Sequence, residues 1–250
     1  MKFVSSLFVL LSWMQLLSTQ DTEIPKYGDL IILVDSSDSM GLKTFNQLKS
    51  YISRIIAEMQ IGVDHYRIGL IQYNEDIHVG FSLSEFKTKS PMMNYIKNRF
   101  LFQGRSLMTG NALQKVHEII LADKHGRDKS KYPQVLLVIT SGSSNDEINP
   151  SISTLKQDGI RIITVGVKEA SLDEMQAMAT SPQLAFKIAN LKDLNAKDMV
   201  TTIQEVVEKT YYVEGTQTPV KANTPVMSEL LKLTSSFDVT QWTNTRSDDP

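Results

Sequence analysis

The stretch Leu30-Ile31-Ile32-Leu33-Val34-Asp35-Ser36-Ser37-Asp38-Ser39-Met40 most limits what this chain can fold into. Its run of apolar, largely β-branched residues reads as a strand buried on both faces, the kind found inside a parallel sheet covered by helices. The run stops abruptly at a carboxylate and three hydroxyls. In open α/β sheets, ligands bind just beyond the carboxyl ends of the strands. The spacing Asp35-x-Ser37-x-Ser39 sets hard oxygen donors on alternate residues of a tight loop, a set suited to Mg²⁺ or Mn²⁺ rather than zinc. The same residues also read as an Asx/Ser turn that caps the following helix.

Beyond this strand the chain alternates between two periods. Leu42 to Gln60 carries Phe45, Leu48, Ile52, Ile55, Ile56 and Met59 at helical spacing. Tyr66–Tyr73 and Ile77–Leu83 read as strands joined by the turn-like Asn74-Glu75-Asp76, hence a hairpin with one antiparallel edge strand. Helices are predicted over Pro91–Phe102 and Leu113–Ala122, then a buried strand over Gln134–Thr140 that again ends in small polar residues, Ser141 to Ser144. A helix over Ile148–Gln157, a buried strand over Ile160–Val167, a helix over Leu172–Ala179, a weak strand over Leu184–Ile188 and a long helix over Leu191–Tyr211 complete the series. Strands alternating with helices predict a doubly wound α/β fold, mostly parallel, with helices on both faces.

The ends read differently. Lys2 followed by an apolar run from Phe3 to Leu17 and then Ser18-Thr19-Gln20-Asp21 reads as a secretory signal peptide over residues 1–20, too short for a membrane span. From about residue 213 to 250 periodicity fades and Thr, Pro and Ser accumulate, the composition of a linker or disordered tail. Secretion usually goes with disulfides in small domains, yet the chain has no cysteine. A domain of roughly two hundred residues can rely on its core instead. The net charge of -2 leaves no electrostatic footprint for nucleic acid or an anionic membrane.

The loop at Asp35-Ser36-Ser37-Asp38-Ser39, the strand Tyr66-Arg67-Ile68-Gly69-Leu70-Ile71-Gln72-Tyr73, the segment Leu107-Met108-Thr109-Gly110-Asn111-Ala112-Leu113 and the stretch Val135 to Gly142 occur in the order of a known family. The chain resembles von Willebrand factor type A domains over residues 27–212. Asp123 to Lys129, Asp158 to Val167 and Met178-Ala179-Thr180-Ser181 look most like the N-terminal type A modules of the long collagen VI α chains, of the α4, α5 and α6 kind. The resemblance implies an extracellular, non-catalytic binding or assembly module. It also implies a metal-ion-dependent adhesion site, in which Asp-x-Ser-x-Ser is joined by a threonine and an aspartate from two further loops, and a partner carboxylate completes the metal. Asp35, Ser37 and Ser39 match the first loop. In the second, Leu107 stands where the threonine belongs, with Ser106 beside it. In the third, Thr140-Ser141-Gly142 replaces Thr-Asp-Gly, so Ser141 stands for the aspartate. The candidate metal ligands are therefore Asp35, Ser37, Ser39, Ser106 and Ser141, a set with one carboxylate fewer than the family pattern.

Other chemistries find little support. No Gly-x-Gly-x-x-Gly follows a strand, and Met40-Gly41-Leu42-Lys43-Thr44 lacks the phosphate-loop spacing. Asp35 as a phosphotransfer or hydrolytic nucleophile has no readable lysine or second acid beside it. His65, His78, His117 and His125 form no metal-binding pair, and the charged segment around Arg127 reads as a solvated loop. The expectation is a secreted extracellular-matrix protein that is not an enzyme and has collagens, other matrix proteins or further type A chains as partners. The alternatives are a metal-independent structural assembly unit or truncated collagen VI-like chain and, third, an Asp-based hydrolase.

Overall fold

A computed structural model of the chain describes residues 27–121, 127, 128, 131–189 and 191–213. The predicted signal peptide, most of the predicted tail and His125 lie outside these residues. The first strand is β1 (Gly28–Asp35), followed by α1 (Leu42–Glu58), β2 (Tyr66–Tyr73), β3 (Ile77–Phe81), α2 (Lys89–Asn98) and α3 (Thr109–Leu121). Then come β4 (Gln134–Thr140), α4 (Asn149–Gln157), β5 (Arg161–Gly166), α5 (Leu172–Met178), β6 (Ala185–Lys187) and α6 (Ala196–Val213). The six strands make one sheet in the order β3-β2-β1-β4-β5-β6. All neighbours are parallel except β3, which runs antiparallel to β2 at the edge. The predicted fold is borne out.

Alternation along β1 divides the core. Leu30, Ile32 and Val34 face one side, packing with Phe45, Leu48, Ile52 and Ile56 of α1 and with Met199, Ile203 and Val207 of α6. Ile31 and Leu33 face the other, against Leu113 and Val116 of α3 and Ile152 and Leu155 of α4. Every residue of β1 and β4 is buried, as strands covered by helices on both faces must be.

Several boundaries move. The helix predicted to reach Phe102 stops at Asn98, because Phe100 and Phe102 leave the helix to pack on Phe45, with ring centroids 4.9 and 5.8 Å away. The following helix starts four residues early, at Thr109, where the side chain of Asp146 caps it from another loop. Leu191–Asp193 is a separate 3-10 turn, and α6 begins at Ala196, after Asn195 Oδ1 accepts the Lys197 amide at 3.0 Å.

The amino end of β1 overturns one reading outright. Asp29 is buried at 2% exposure and accepts from two arginines: Arg67 Nε at 2.9 Å and Nη2 at 2.5 Å, and Arg127 Nη2 at 2.5 Å. Arg127 also donates to the carbonyls of Gly28, Val63 and His65 and lies 3.9 Å from the Tyr132 ring centre. Its charge is thus folded into the protein rather than solvated, because one buried carboxylate demands compensation.

Candidate functional site

Parallel pairing brings the carboxyl ends of β1 and β4 side by side, with Val34 opposite Ile139. Asp35 closes β1 and Ser141 follows β4, so residues 106 apart in sequence meet at one rim. The Asp35 side chain is completely buried and fully used. Its Oδ1 accepts the Ser37 amide at 2.7 Å, and its Oδ2 accepts both the amide and the hydroxyl of Ser141, at 2.9 and 2.5 Å. Ser39 Oγ lies 2.9 Å from Ser141 Oγ and 2.7 Å from Ser37 Oγ. A serine carries a single hydroxyl proton. Since Ser141 spends its proton on the Asp35 carboxylate, it accepts from the Ser39 hydroxyl in their contact. The result is a cluster of three hydroxyls gathered on one buried carboxyl group.

Burial pushes the Asp35 carboxyl above its ordinary range, and the hydrogen bonds from Ser141 and Ser37 pull it back only in part. Tyr73, wholly buried beneath, has its phenol pushed up by the same loss of solvent and by the neighbouring Asp35 charge. The turn predicted at Asp35 is present in the Ser37 amide bond. The predicted helix cap is not: the residue before α1 is Gly41, with no side-chain acceptor.

The second loop contributes a hydrocarbon where an oxygen would be needed. Leu107 is buried in the apolar layer under the rim. Its Cδ2 would lie 3.5 Å from a Cβ placed on Gly142, beside Ser39 Oγ at 3.4 Å. Ser106 is exposed, and the contact it makes is from its amide to Glu75 Oε1 at 3.4 Å. The structure therefore brings together Asp35, Ser37, Ser39 and Ser141, and does not join the Ser106 hydroxyl to them. Asp38 is also exposed, its Oδ1 directed at Gly104, 2.7 Å from where a Cβ there would lie.

Two residues at this rim escape a reading by motif. Asp146 accepts the amides of Gly110 at 2.8 Å and Asn111 at 2.6 Å, and the Ser144 hydroxyl at 2.6 Å, which fixes the start of α3. Lys168 donates from Nζ to the carbonyls of Ser39 at 2.5 Å and Met40 at 3.2 Å. The available signal for Lys168 was its place, directly after a buried strand on the edge where such folds bind ligands.

The sequence pattern of the von Willebrand factor type A domain matches residues 29–205. The chain belongs to the von Willebrand factor type A domain family. This type A domain is 39% identical over 213 residues to the collagen alpha-5(VI) chain of Mus musculus, covering 84% of this chain and 8% of that one. It is 40% identical over 194 residues to the collagen alpha-6(VI) chain of Homo sapiens, covering 76% of this chain and 8% of that one. The type A domain thus spans a small part of these collagens. Among solved structures it superposes on proximal thread matrix protein 1 from the mussel byssus with a TM-score of 0.65 at 20% identity, over 74% of this chain and 48% of that one. It superposes on manganese-loaded TRAP protein of Plasmodium vivax with a TM-score of 0.61 at 17% identity, over 73% of this chain and 74% of that one. At those identities the likeness speaks for the fold. Among the described residues no cluster of three His, Cys, Asp or Glu is placed to hold a metal, and no helix is long and apolar enough to cross a membrane.

Proposed function

We propose that this type A domain is a secreted, non-catalytic interaction module of extracellular matrix, docking on collagens and other matrix proteins through the rim at the carboxyl ends of β1 and β4. The observation that carries the reading is the Asp35–Ser37–Ser39–Ser141 cluster, standing where the family's adhesion loops converge in a chain about 40% identical to collagen VI chains. Complete burial of Asp35 and occupation of both its oxygens argue against its use as a nucleophile.

If Mg²⁺ or Mn²⁺ were to bind, Asp35, Ser37 and Ser39 would hold it, with Ser141 and Ser106 as the further candidates, and the ion would offer a Lewis-acidic position to a partner carboxylate. The donor set does not fit that role. Octahedral Mg²⁺ needs oxygen on all sides, and here Leu107 supplies a methyl group. A cation seated between Ser37 and Ser39 would also break the hydroxyl cluster gathered on Asp35. A metal-independent form of the module is the reading these contacts support.

The test is retention of the full chain on decellularised fibroblast matrix, with EDTA and with Mn²⁺. Equal retention under both conditions is expected. A chain that washes off as freely as serum albumin under both conditions overturns the matrix reading, and retention confined to Mn²⁺ overturns the metal-independent form.

A further inference from the structure

Among the described residues two that are not glycine hold a left-handed backbone, Arg105 at φ 73° and Lys168 at φ 53°. Such conformations are costly for residues with a side chain and concentrate at functional sites. Both flank the same loop. The Arg105 carbonyl accepts the Asp38 amide at 2.8 Å. The Lys168 ammonium is pinned on the Ser39 and Met40 carbonyls. Covalent geometry then places Nζ within roughly 7 Å of Ser39 Oγ. Lys168 is an exposed residue, and two carbonyls use two of its three ammonium protons.

The surrounding charges set what this ammonium can receive. Asp76 pairs with Arg105 at 3.1 Å, Asp146 is spent on the α3 amides, Glu174 on the Ser144 amide at 2.9 Å, and Glu75 on the Ser106 amide. Asp35 is buried under its own donors. The exposed acids that remain in the neighbouring sequence are Asp38, Glu147, Glu169 and Asp173. They disfavour a polyanion, and the third ammonium proton of Lys168 suits a single carboxylate. A divalent ion at Ser37 and Ser39 would meet a like charge at Lys168 and find only one carboxylate among the cluster. We propose that Lys168 is the resident cation of this rim, and that its ammonium receives a single Asp or Glu carboxylate of a partner protein without a divalent ion. This rests on the reading of the rim as the docking face.

The probe is the peptide acetyl-Gly-Glu-Gly-amide, titrated in EDTA into the isotope-labelled full chain and followed by NMR at the amides of Ser39, Met40 and Lys168. Its control is the peptide with Gln for Glu. Saturating shifts with the Glu peptide alone are expected. They should be retained in Lys168→Arg, unchanged in Lys115→Ala and lost in Lys168→Gly, a variant whose backbone takes φ 53° without strain. Equal shifts with the Gln peptide, persistence in Lys168→Gly, or shifts appearing only with Mn²⁺ would overturn the assignment. On decellularised matrix, Lys168→Gly should be retained about tenfold less than wild type, the size of one charge-assisted hydrogen bond. Equal retention of the two removes the role of Lys168 and leaves the matrix module standing. If wild type is not retained at all, the matrix reading fails, and the peptide titration still decides Lys168.

Discussion

Ser141 gives Asp35 two hydrogen bonds to the same oxygen, the hydroxyl at 2.5 Å and the amide at 2.9 Å. The residue that stands where the family pattern has a second carboxylate has thus become the first carboxylate's main donor. A potential pair of like charges is replaced by an acid and its hydrogen-bond partner, which stabilises the loops with no ion between them.

Reversing that exchange should restore a cation requirement. The double variant Leu107→Thr, Ser141→Asp places a second carboxylate against Asp35 and an oxygen where Leu107 now packs. In EDTA it should melt lower than wild type. In Mn²⁺ at about a hundred times its dissociation constant it should recover roughly 2.7 kcal/mol, whereas wild type should not respond. Thermal melts with and without Mn²⁺ decide this, and a wild-type response as large as the variant's would sink the idea.

Asp35 also predicts a pH dependence. Its folded pKa is raised by burial, so the folded state holds this proton more tightly than the unfolded chain does. The contribution of this group to stability is then complete below its ordinary value of 3.8 and is lost as pH rises through the higher folded value. The side-chain amide introduced by Asp35→Asn does not titrate, but it turns an N–H donor toward Ser141, at a cost of about 1–3 kcal/mol. Urea denaturation of wild type and Asp35→Asn in EDTA should show the deficit of the variant shrinking as pH rises from about 4 to about 7. A deficit that grows with pH would contradict the burial argument.

Two glycines should fail for different reasons. A Cβ on Gly110 would lie 2.1 Å from the Glu147 carbonyl oxygen, so Gly110→Ala must push away the loop whose Asp146 caps α3. A loss of about 3 kcal/mol is expected, the upper end of the range for an overpacked core site. Gly159, at φ +77°, has nothing within 4 Å of an added Cβ. There Ala should cost only the left-handed backbone strain, about 1–2 kcal/mol. Chemical denaturation of the two variants side by side checks the ordering.

At the opposite end of β1, Asp29→Asn leaves Arg67 and Arg127 without their shared carboxylate. Removing one partner from a buried ionic cluster costs about 3–5 kcal/mol. A double-mutant cycle with Arg67→Met should return a substantial part of that loss. Strict additivity would show that the contact contributes nothing of its own.

The fold was legible because its signals are local. The alternation of buried strands with 3.6-period helices names an α/β sheet, and the hairpin at Asn74–Asp76 names its antiparallel edge. The substitution of Ser141 for a carboxylate, and of Leu107 for a hydroxyl, could likewise be read by setting loops in order. The orientation of Ser106 could not be read, because a one-residue choice between a buried and an exposed position is made by packing, and Leu107 takes the buried one. Arg127 read as solvated because nothing local announces that Asp29, 98 positions away, will be buried under it.

What the sequence determined by itself was the set of strands, the helix faces and the Asp35-x-Ser37-x-Ser39 turn, since each follows from periodicity or spacing within a few residues. What the tertiary structure decided was which oxygens meet, and that Lys168 rather than a recognisable motif residue brings a positive charge to the rim. Those depend on strand register and loop packing over a hundred residues of separation, and a hydrogen bond made or lost there turns on fractions of an ångström that no local pattern encodes.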